Sequence, residues 1–461
     1  MNVIGFKEAK CKNCYKCVRN CDVKAITVKD SQAYIMNDKC ILCGHCLEVC
    51  PQNAKTLISD LDRVKQYLSN GYKTIISLAP AYLGVIKYKT PGQVIRALLD
   101  LGFTAVHETA EGAAYVTRDY IRLLEEGKME NIITTCCPSV NDLIEIYYPT
   151  LTKYMAPVVS PMIAHGMLLR KQYGEDAKIV FLGPCISKKR EAESDERTKG
   201  IIDAVINFKE FEEWLLDKNI CLTELTDEAP NNPNPEVNRL YPISSGVLSS
   251  VLTTNDSTNK YRKFYVHGIK NCIDLFESMK RGEVNGCFIE TNICNGGCIK
   301  GPAIDRACIS RFKVKLDMEE TIQKKPVSEV SFFKENSITL YKRFFDHSPK
   351  DPIPSEAQIA SILRKIGKTK SEDLLNCGAC GYATCREKAI AVYQGKAELN
   401  MCIPYMHERA QSMSNIVLDN TPNIIIIVDA EMRILEFSRA AEKHYKTSRN
   451  NAKNMFLYEF I

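Results

Sequence analysis

Between about Tyr72 and Ser348, short β-branched apolar runs alternate with segments whose apolar residues recur at helical spacing. The pattern predicts strands at Thr74–Ala79, Ala105–Glu108, Ile132–Thr135, Ile179–Leu182, Phe264–Gly268 and Cys287–Glu290. It predicts helices at Pro91–Leu101, Ala113–Glu126, Val140–Ile146 and Pro161–Tyr173. Strand–helix alternation of this kind reads as an α/β domain. At Pro349–Pro354 the composition shifts and marks a linker. Beyond it, Met406, Ala410, Met413 and Val417 recur as an a/d stripe on a helix, compatible with core packing or a dimer seam. From Thr421 the pattern is strand, turn, strand, helix.

A chain of 461 residues suggests about three domains. With 45% apolar and 25% charged residues it is an ordinary globular chain, neither collagen-like nor disordered. The longest apolar run, Ile424–Val428, is too short to span a bilayer, and Met1–Cys11 has no apolar signal core. The expectation is a cytoplasmic protein without a membrane partner. Basic residues are dispersed and offset by 56 acids, so nucleic acid is not an expected partner either. The outlier is 21 cysteines. In a reducing compartment they imply metal or redox chemistry rather than disulfides.

Cys11, Cys14, Cys17 and Cys21 follow C-x2-C-x2-C-x3-C, and Cys40, Cys43, Cys46 and Cys50 repeat it. The spacing resembles bacterial two-cluster ferredoxins, although Asp22 stands where proline is usual. In that pattern the last cysteine of each run ligates the other cube. The resemblance therefore implies one [4Fe–4S] cluster on Cys11, Cys14, Cys17 and Cys50, and a second on Cys40, Cys43, Cys46 and Cys21. Zinc sites rarely show triple x2 spacing.

Three of the expected strands run directly into cysteine loops: Thr134-Thr135-Cys136-Cys137-Pro138, Leu182-Gly183-Pro184-Cys185 through Lys188 to Glu191, and Cys294-Asn295-Gly296-Gly297-Cys298. Open α/β sheets bind cofactors past such strand ends. The three loops, in this order, resemble the signature loops of [FeFe]-hydrogenases across roughly residues 1–320. That resemblance implies a two-lobed α/β core around an H-cluster, a [4Fe–4S] cube joined to a two-iron subsite bearing CO, CN⁻ and azadithiolate. Carried over, Cys137, Cys185, Cys294 and Cys298 hold the cube, and Cys298 bridges to the two-iron unit. Cys136 passes protons and Lys188 donates to a cyanide. Ala79-Pro80-Ala81, together with Gly183, Pro184 and Gly297, lines the cofactor. An unperturbed thiol titrates near 8.5, close enough to working pH to relay a proton.

Three positions depart from the family: Gly183 and Asn292 replace methionines, and Val140 stands where tryptophan is common. On the helix before the first loop, Tyr120 and Leu123 stand where relay acids are expected, with Asp119 and Glu108 as nearby substitutes. These changes suggest slowed or retuned catalysis. Cys221, Cys272, Cys287 and Cys308 lack partner spacing and read as core or incidental; His107, His165 and His267 read as satisfied core histidines.

Past the linker, Cys377, Cys380, Cys385 and Cys402 form C-x2-C-x4-C-x16-C. The set resembles the small [4Fe–4S] domain of corrinoid and sensory iron–sulfur proteins. A lone four-cysteine set also fits zinc, but the glycine-rich surroundings favour a bulky cluster. The segment from Thr421 resembles the opening of a PAS domain, with Ser438 where asparagine is frequent, and is too short to complete one. It should therefore pack poorly or be completed by a partner. The expected organisation is a two-cluster ferredoxin domain over 1–60, an H-cluster domain over 70–348, a [4Fe–4S] domain with a connecting helix over 355–418, and a partial PAS segment over 419–461. The combination resembles the sensory branch of [FeFe]-hydrogenases. Its implied partners are H2, protons, a redox protein such as ferredoxin, the maturation machinery and a downstream signalling element. A ferredoxin-coupled catalytic hydrogenase and a non-catalytic cluster carrier of the same fold are the alternatives.

Overall fold

The computed structural model describes residues 3–232, 236–254, 260–304, 310–322 and 338–460. Cys308 lies outside them. The chain divides into two compact units, residues 1–27 with 32–351 and residues 28–31 with 352–461.

In the first unit, β1 (Ile4–Phe6) pairs antiparallel with β4 (Lys55–Leu57); β2 (Ile26–Lys29), whose last two residues fall in the second unit, and β3 (Gln32–Ile35) lie between them in the chain. The larger part is built on two parallel sheets. One has the order β6-β5-β8-β9, from β5 (Thr74–Leu78), β6 (Ala105–Glu108), β8 (Lys178–Gly183) and β9 (Ala204–Asn207). The other has the order β10-β11-β7, from β7 (Ile132–Ile133), β10 (Arg262–His267) and β11 (Cys287–Asn292). In register, Ile75 faces Ala105 on one side and Ile179 on the other, while Phe288 faces Ile132. β5 and β11 are buried along their whole length, as strands covered on both faces must be.

The helices that matter for the site are α1 (Ala110–Glu126), α2 (Pro138–Tyr147), α3 (Pro161–Tyr173) and α4 (Ser187–Glu193). The six expected strands and four expected helices are all present, with shifted ends. Strand β9 is an addition. Its run Ala204-Val205-Ile206-Asn207 is short, and it becomes a strand by hydrogen-bonding along the edge of β8.

The ferredoxin-like segment docks on this α/β body. Ile41 is buried among Ile133, Val140, Leu143 and Ile293. The Tyr147 hydroxyl donates to the Lys39 carbonyl at 2.7 Å. Gly44 has φ +77, and a Cβ there would meet Pro302 at 2.2 Å, so this close approach requires glycine.

In the second unit, a helix at Glu356–Lys365 starts at a Ser355–Gln358 capping box. The longer α5 (Ile403–Asn420) carries the a/d stripe, where Met406, Met413 and Val417 are exposed. The stripe is therefore not packed within this unit's core. After it, β12 (Ile426–Val428) pairs antiparallel with β13 (Ile434–Phe437), followed by a helix at Arg439–Tyr445. This segment buries Ile434, Phe437, Ala441 and Ala452 in a small core of its own, better packed than its length suggests. Ser438 is fully buried; its Oγ accepts from the Ile425 and Ala441 N–H groups and so ties strand to helix. Among the described residues, no helix is long and apolar enough to cross a membrane.

Candidate cluster-binding site

Each sheet sends its loops past the carboxyl ends of its strands. The three-stranded sheet supplies Cys136 and Cys137 after β7, and Cys294 and Cys298 after β11. The four-stranded sheet supplies Cys185 after β8 and Ala79-Pro80-Ala81 after β5. The Cys298 sulfur interacts electrostatically with those of Cys185, Cys137 and Cys136, Cys137 with Cys185 and Cys136, and Lys188 acts on Cys136, Cys137 and Cys298. Burial pushes the Cys137 thiol up to about 11 and drives Cys298 up as well. Protonated thiols are the cheap state of such a dry pocket until a cation replaces the protons. The Ile293 and Val140 N–H groups hydrogen-bond to the Cys137 sulfur. Cys294 follows Ile293 directly and lines a depression together with Cys43, His45 and Asp22.

Glycine lets the loops close. Gly297 has φ +92, and a Cβ would meet the Pro242 carbonyl oxygen at 2.4 Å. Pro184 presents its carbonyl to this third loop, accepting from the Ala303 N–H at 3.4 Å. Gly183 stands beside Ala79, and a Cβ on it would meet the Phe181 ring at 2.6 Å. The space expected to open where a methionine is missing is therefore taken by Phe181. The Ala79 N–H donates to the Leu182 carbonyl at 2.9 Å, which ties the Ala79–Ala81 segment to this loop. Of the other departures, Asn292 donates to Glu290 at 3.2 Å and Val140 is core.

The Cys136 thiol differs from the expectation of an unperturbed thiol titrating at about 8.5. Burial pushes it up to about 12, against the lowering effects of Tyr120 and Lys188, so it stays protonated at neutral pH. Its neighbour is the Tyr120 hydroxyl at 3.1 Å, which also accepts from the Thr135 N–H at 2.9 Å. Glu108 is engaged elsewhere, accepting from Tyr82 at 2.8 Å and from Arg239 at 2.7 Å. Asp119 lies 3.6 Å from Arg122. The residue read as a lost acid, Tyr120, is thus the one that touches Cys136. Lys188 is buried and donates to Glu191 at 2.7 Å and to the Cys136 carbonyl at 3.2 Å. Burial opposes its charge, but Glu191 outweighs this and holds Lys188 above the ordinary lysine value.

The ferredoxin-like cysteines interact within the crossed sets and also between them, Cys46 acting on Lys55 and interacting with Cys17. Cys17 interacts with Cys14 and Cys50, and all of Cys11, Cys17 and Cys50 act on Lys55. Cys43 and Cys46 each interact with Cys21 and Cys40. The duplication is visible in matching N–H···S bonds, from Ala25 to Cys21 and from Ala54 to Cys50, both at 3.3 Å. In the second unit, Cys377, Cys380, Cys385 and Cys402 line a single cavity with Lys388. Burial lowers Lys388 to about 8 despite the nearby Cys380 and Cys402 sulfurs.

Of the other described cysteines, Cys272 and Cys287 are buried and Cys221 is exposed. His267 receives the Gly296 N–H on Nδ1 at 3.3 Å. His107 and His165 are not satisfied core histidines. The fold brings them together with Glu111, and His107 Nδ1 and His165 Nε2 have no hydrogen-bond partner.

Comparison with known proteins agrees with this geometry. The model of the iron only hydrogenase large subunit, C-terminal domain, matches residues 72–302, half of the chain. A 4Fe-4S dicluster domain matches residues 10–54, and an Fe-S cluster family matches residues 375–404. Iron hydrogenase 1 of Clostridium pasteurianum is 26% identical over 57% of this chain and 63% of its own length. The NADP-reducing hydrogenase subunit HndD of Solidesulfovibrio fructosivorans is 25% identical over 63% of each. The chain thus spans under two thirds of the length of these relatives. A variant of [FeFe]-hydrogenase HydA1 from Chlamydomonas reinhardtii shares the fold, with a TM-score of 0.50 at 17% identity over 63% of this chain and 100% of that one.

Proposed function

Because the chain belongs to the family of the iron only hydrogenase large subunit, C-terminal domain, we propose that it binds an H-cluster and slowly interconverts H2 with protons and electrons. The observation that carries this reading is the meeting of the half-buried Cys137, Cys185 and Cys298 with Cys136 and the buried Lys188. Cys137, Cys185, Cys294 and Cys298 would hold the cluster. When bound, the H-cluster supplies a Lewis-acidic iron beside a base, the pair needed to split H2 heterolytically. The residues present suit it, being half-buried thiols on three loops with glycine where backbone comes close.

The chain's own work is to move protons, fix charge and exclude water. Cys136 holds a proton at Sγ and delivers or accepts it at the pocket. Lys188, anchored by Glu191, presents a fixed positive charge to an anionic cofactor ligand. Ala79 and Ala81, both buried, keep the pocket dry. Turnover is slow because the next group outward is Tyr120, whose phenol burial drives well above its ordinary value of 10. A phenol that does not ionise near pH 7 is a poor onward acceptor.

Electrons travel through the second ferredoxin-like set, since Cys43 and Cys294 line one depression. The C-terminal set and the PAS-like segment take the readout, making the chain an H2 or redox sensor. Their support is the four-cysteine cavity and the exposed stripe of α5. Maturated protein under H2 tests both parts. Slow H2-dependent reduction of an artificial acceptor is expected, together with a reduced-cluster signal that Cys380→Ser removes. No H2-dependent reduction overturns the catalytic part. A C-terminal signal indifferent to H2 overturns the sensory part.

A further inference from the structure

His107 lies next to the last residue of β6, Glu111 in the first turn of α1, and His165 in α3. Gly112 explains how they meet. A Cβ there would strike the Pro161 carbonyl oxygen at 2.4 Å and the His165 backbone N at 2.7 Å, so α1 and α3 touch at this glycine. One ligand atom from each of the three residues lies within 4.8 Å of the other two.

The outer nitrogen of each ring is already engaged. His107 Nε2 is 2.8 Å from the Tyr173 hydroxyl, and His165 Nδ1 is 2.7 Å from Ser77 Oγ. Ser77 Oγ is in turn 2.7 Å from Thr109 Oγ1. A neutral imidazole that donates outward from one nitrogen carries its lone pair on the other. Here those other nitrogens are His107 Nδ1 and His165 Nε2, both among the buried side-chain atoms that lack a close hydrogen-bond partner. Both histidines are at most 1% exposed. Asn232 donates to Glu111 Oε2 at 3.0 Å and fixes the carboxylate. A simple ion pair does not account for the trio. His165 Nε2 is 3.4 Å from Glu111 Oε2, and although burial opposes it, hydrogen bonding and charge from His165 hold the Glu111 carboxyl below its ordinary value; pairing these two still leaves His107 Nδ1 unpartnered.

We propose that His107 Nδ1, Glu111 and His165 Nε2 bind one divalent first-row cation, zinc being the best match. Two imidazoles and a carboxylate are a borderline donor set suited to zinc or ferrous iron. The hydroxyls of Tyr173 and Ser77 serve as the outer hydrogen bonds that orient ligating histidines. The bound ion ties β6, α1 and α3 together, two residues along β5 from the Ala79–Ala81 segment through Ser77.

Crystals of cluster-loaded protein exposed to zinc, with anomalous maps recorded on both sides of the zinc edge, test the site directly. A zinc peak among His107, Glu111 and His165 is expected. Peaks confined to cysteines, or no peak, overturn the proposal. In solution, loaded wild type should retain one zinc per chain after desalting that Glu111→Gln and His165→Gln each lose, with iron content unchanged. Equal zinc in wild type and in variants of full iron content would also overturn it.

Discussion

The Tyr120 hydroxyl sits 3.1 Å from the Cys136 sulfur and accepts the Thr135 N–H at 2.9 Å. This phenol therefore positions the loop that carries Cys136 and Cys137. Tyr120→Phe leaves the Thr135 N–H buried without its partner, at a cost of about 1–3 kcal/mol. It should lower H2 turnover and shift its pH profile, as measured by acceptor reduction under H2.

Cys136→Ala should lower turnover at least about tenfold, the scale of a lost acid–base step, while CO and CN⁻ infrared bands persist. Activity near the wild-type level would remove Cys136 from the proton route.

Gly183→Met should harm rather than restore. Its side chain collides with the Phe181 ring, 2.6 Å from the position of a Cβ. Overpacking of this kind costs about 1–3 kcal/mol. Adding Phe181→Ala should recover much of the loss, which thermal unfolding midpoints of the single and double variants will read.

Glu290 gives a pH dependence of stability. Burial raises its carboxyl from an ordinary 4.5 to about 7, although the Leu248, Ser245 and Val247 N–H groups oppose the shift. Between these values the folded state holds a proton that the unfolded chain has released. Stability from this group therefore falls as pH rises from about 4.5 through 7. Unfolding midpoints at pH 5 and pH 8 should show wild type losing ground relative to Glu290→Gln as pH increases.

The crossed ferredoxin ligation is testable by iron counting. Cys50→Ser should remove the cluster of Cys11, Cys14 and Cys17, and Cys21→Ser the cluster of Cys40, Cys43 and Cys46. Each should cost about four irons per chain. Loss of the opposite cluster in either variant would reverse the assignment.

What the sequence made readable were features local in the chain. Cysteine spacing, the loops after β7, β8 and β11, and the apolar runs of β5 and β6 all lie within short windows. What it hid depends on distant partners. The Tyr120 contact joins a helix face to a loop 16 residues away. The trio of His107, Glu111 and His165 depends on two helices meeting at Gly112. Each histidine, taken alone among apolar neighbours, looks like ordinary core. The filling of Gly183 by Phe181 is equally invisible until the strand is placed, because residues two apart share a face only in an extended chain. The buried Lys342, 2.8 Å from Asp195, likewise joins residues far apart in sequence.

The central claim is that cysteines on three loops gather one H-cluster beside Cys136 and Lys188. Infrared spectroscopy of the maturated, cluster-loaded chain tests it most directly. The account predicts CO and CN⁻ stretches in wild type that vanish in Cys298→Ser. A chain with its full complement of cubane iron and no such bands would contradict it.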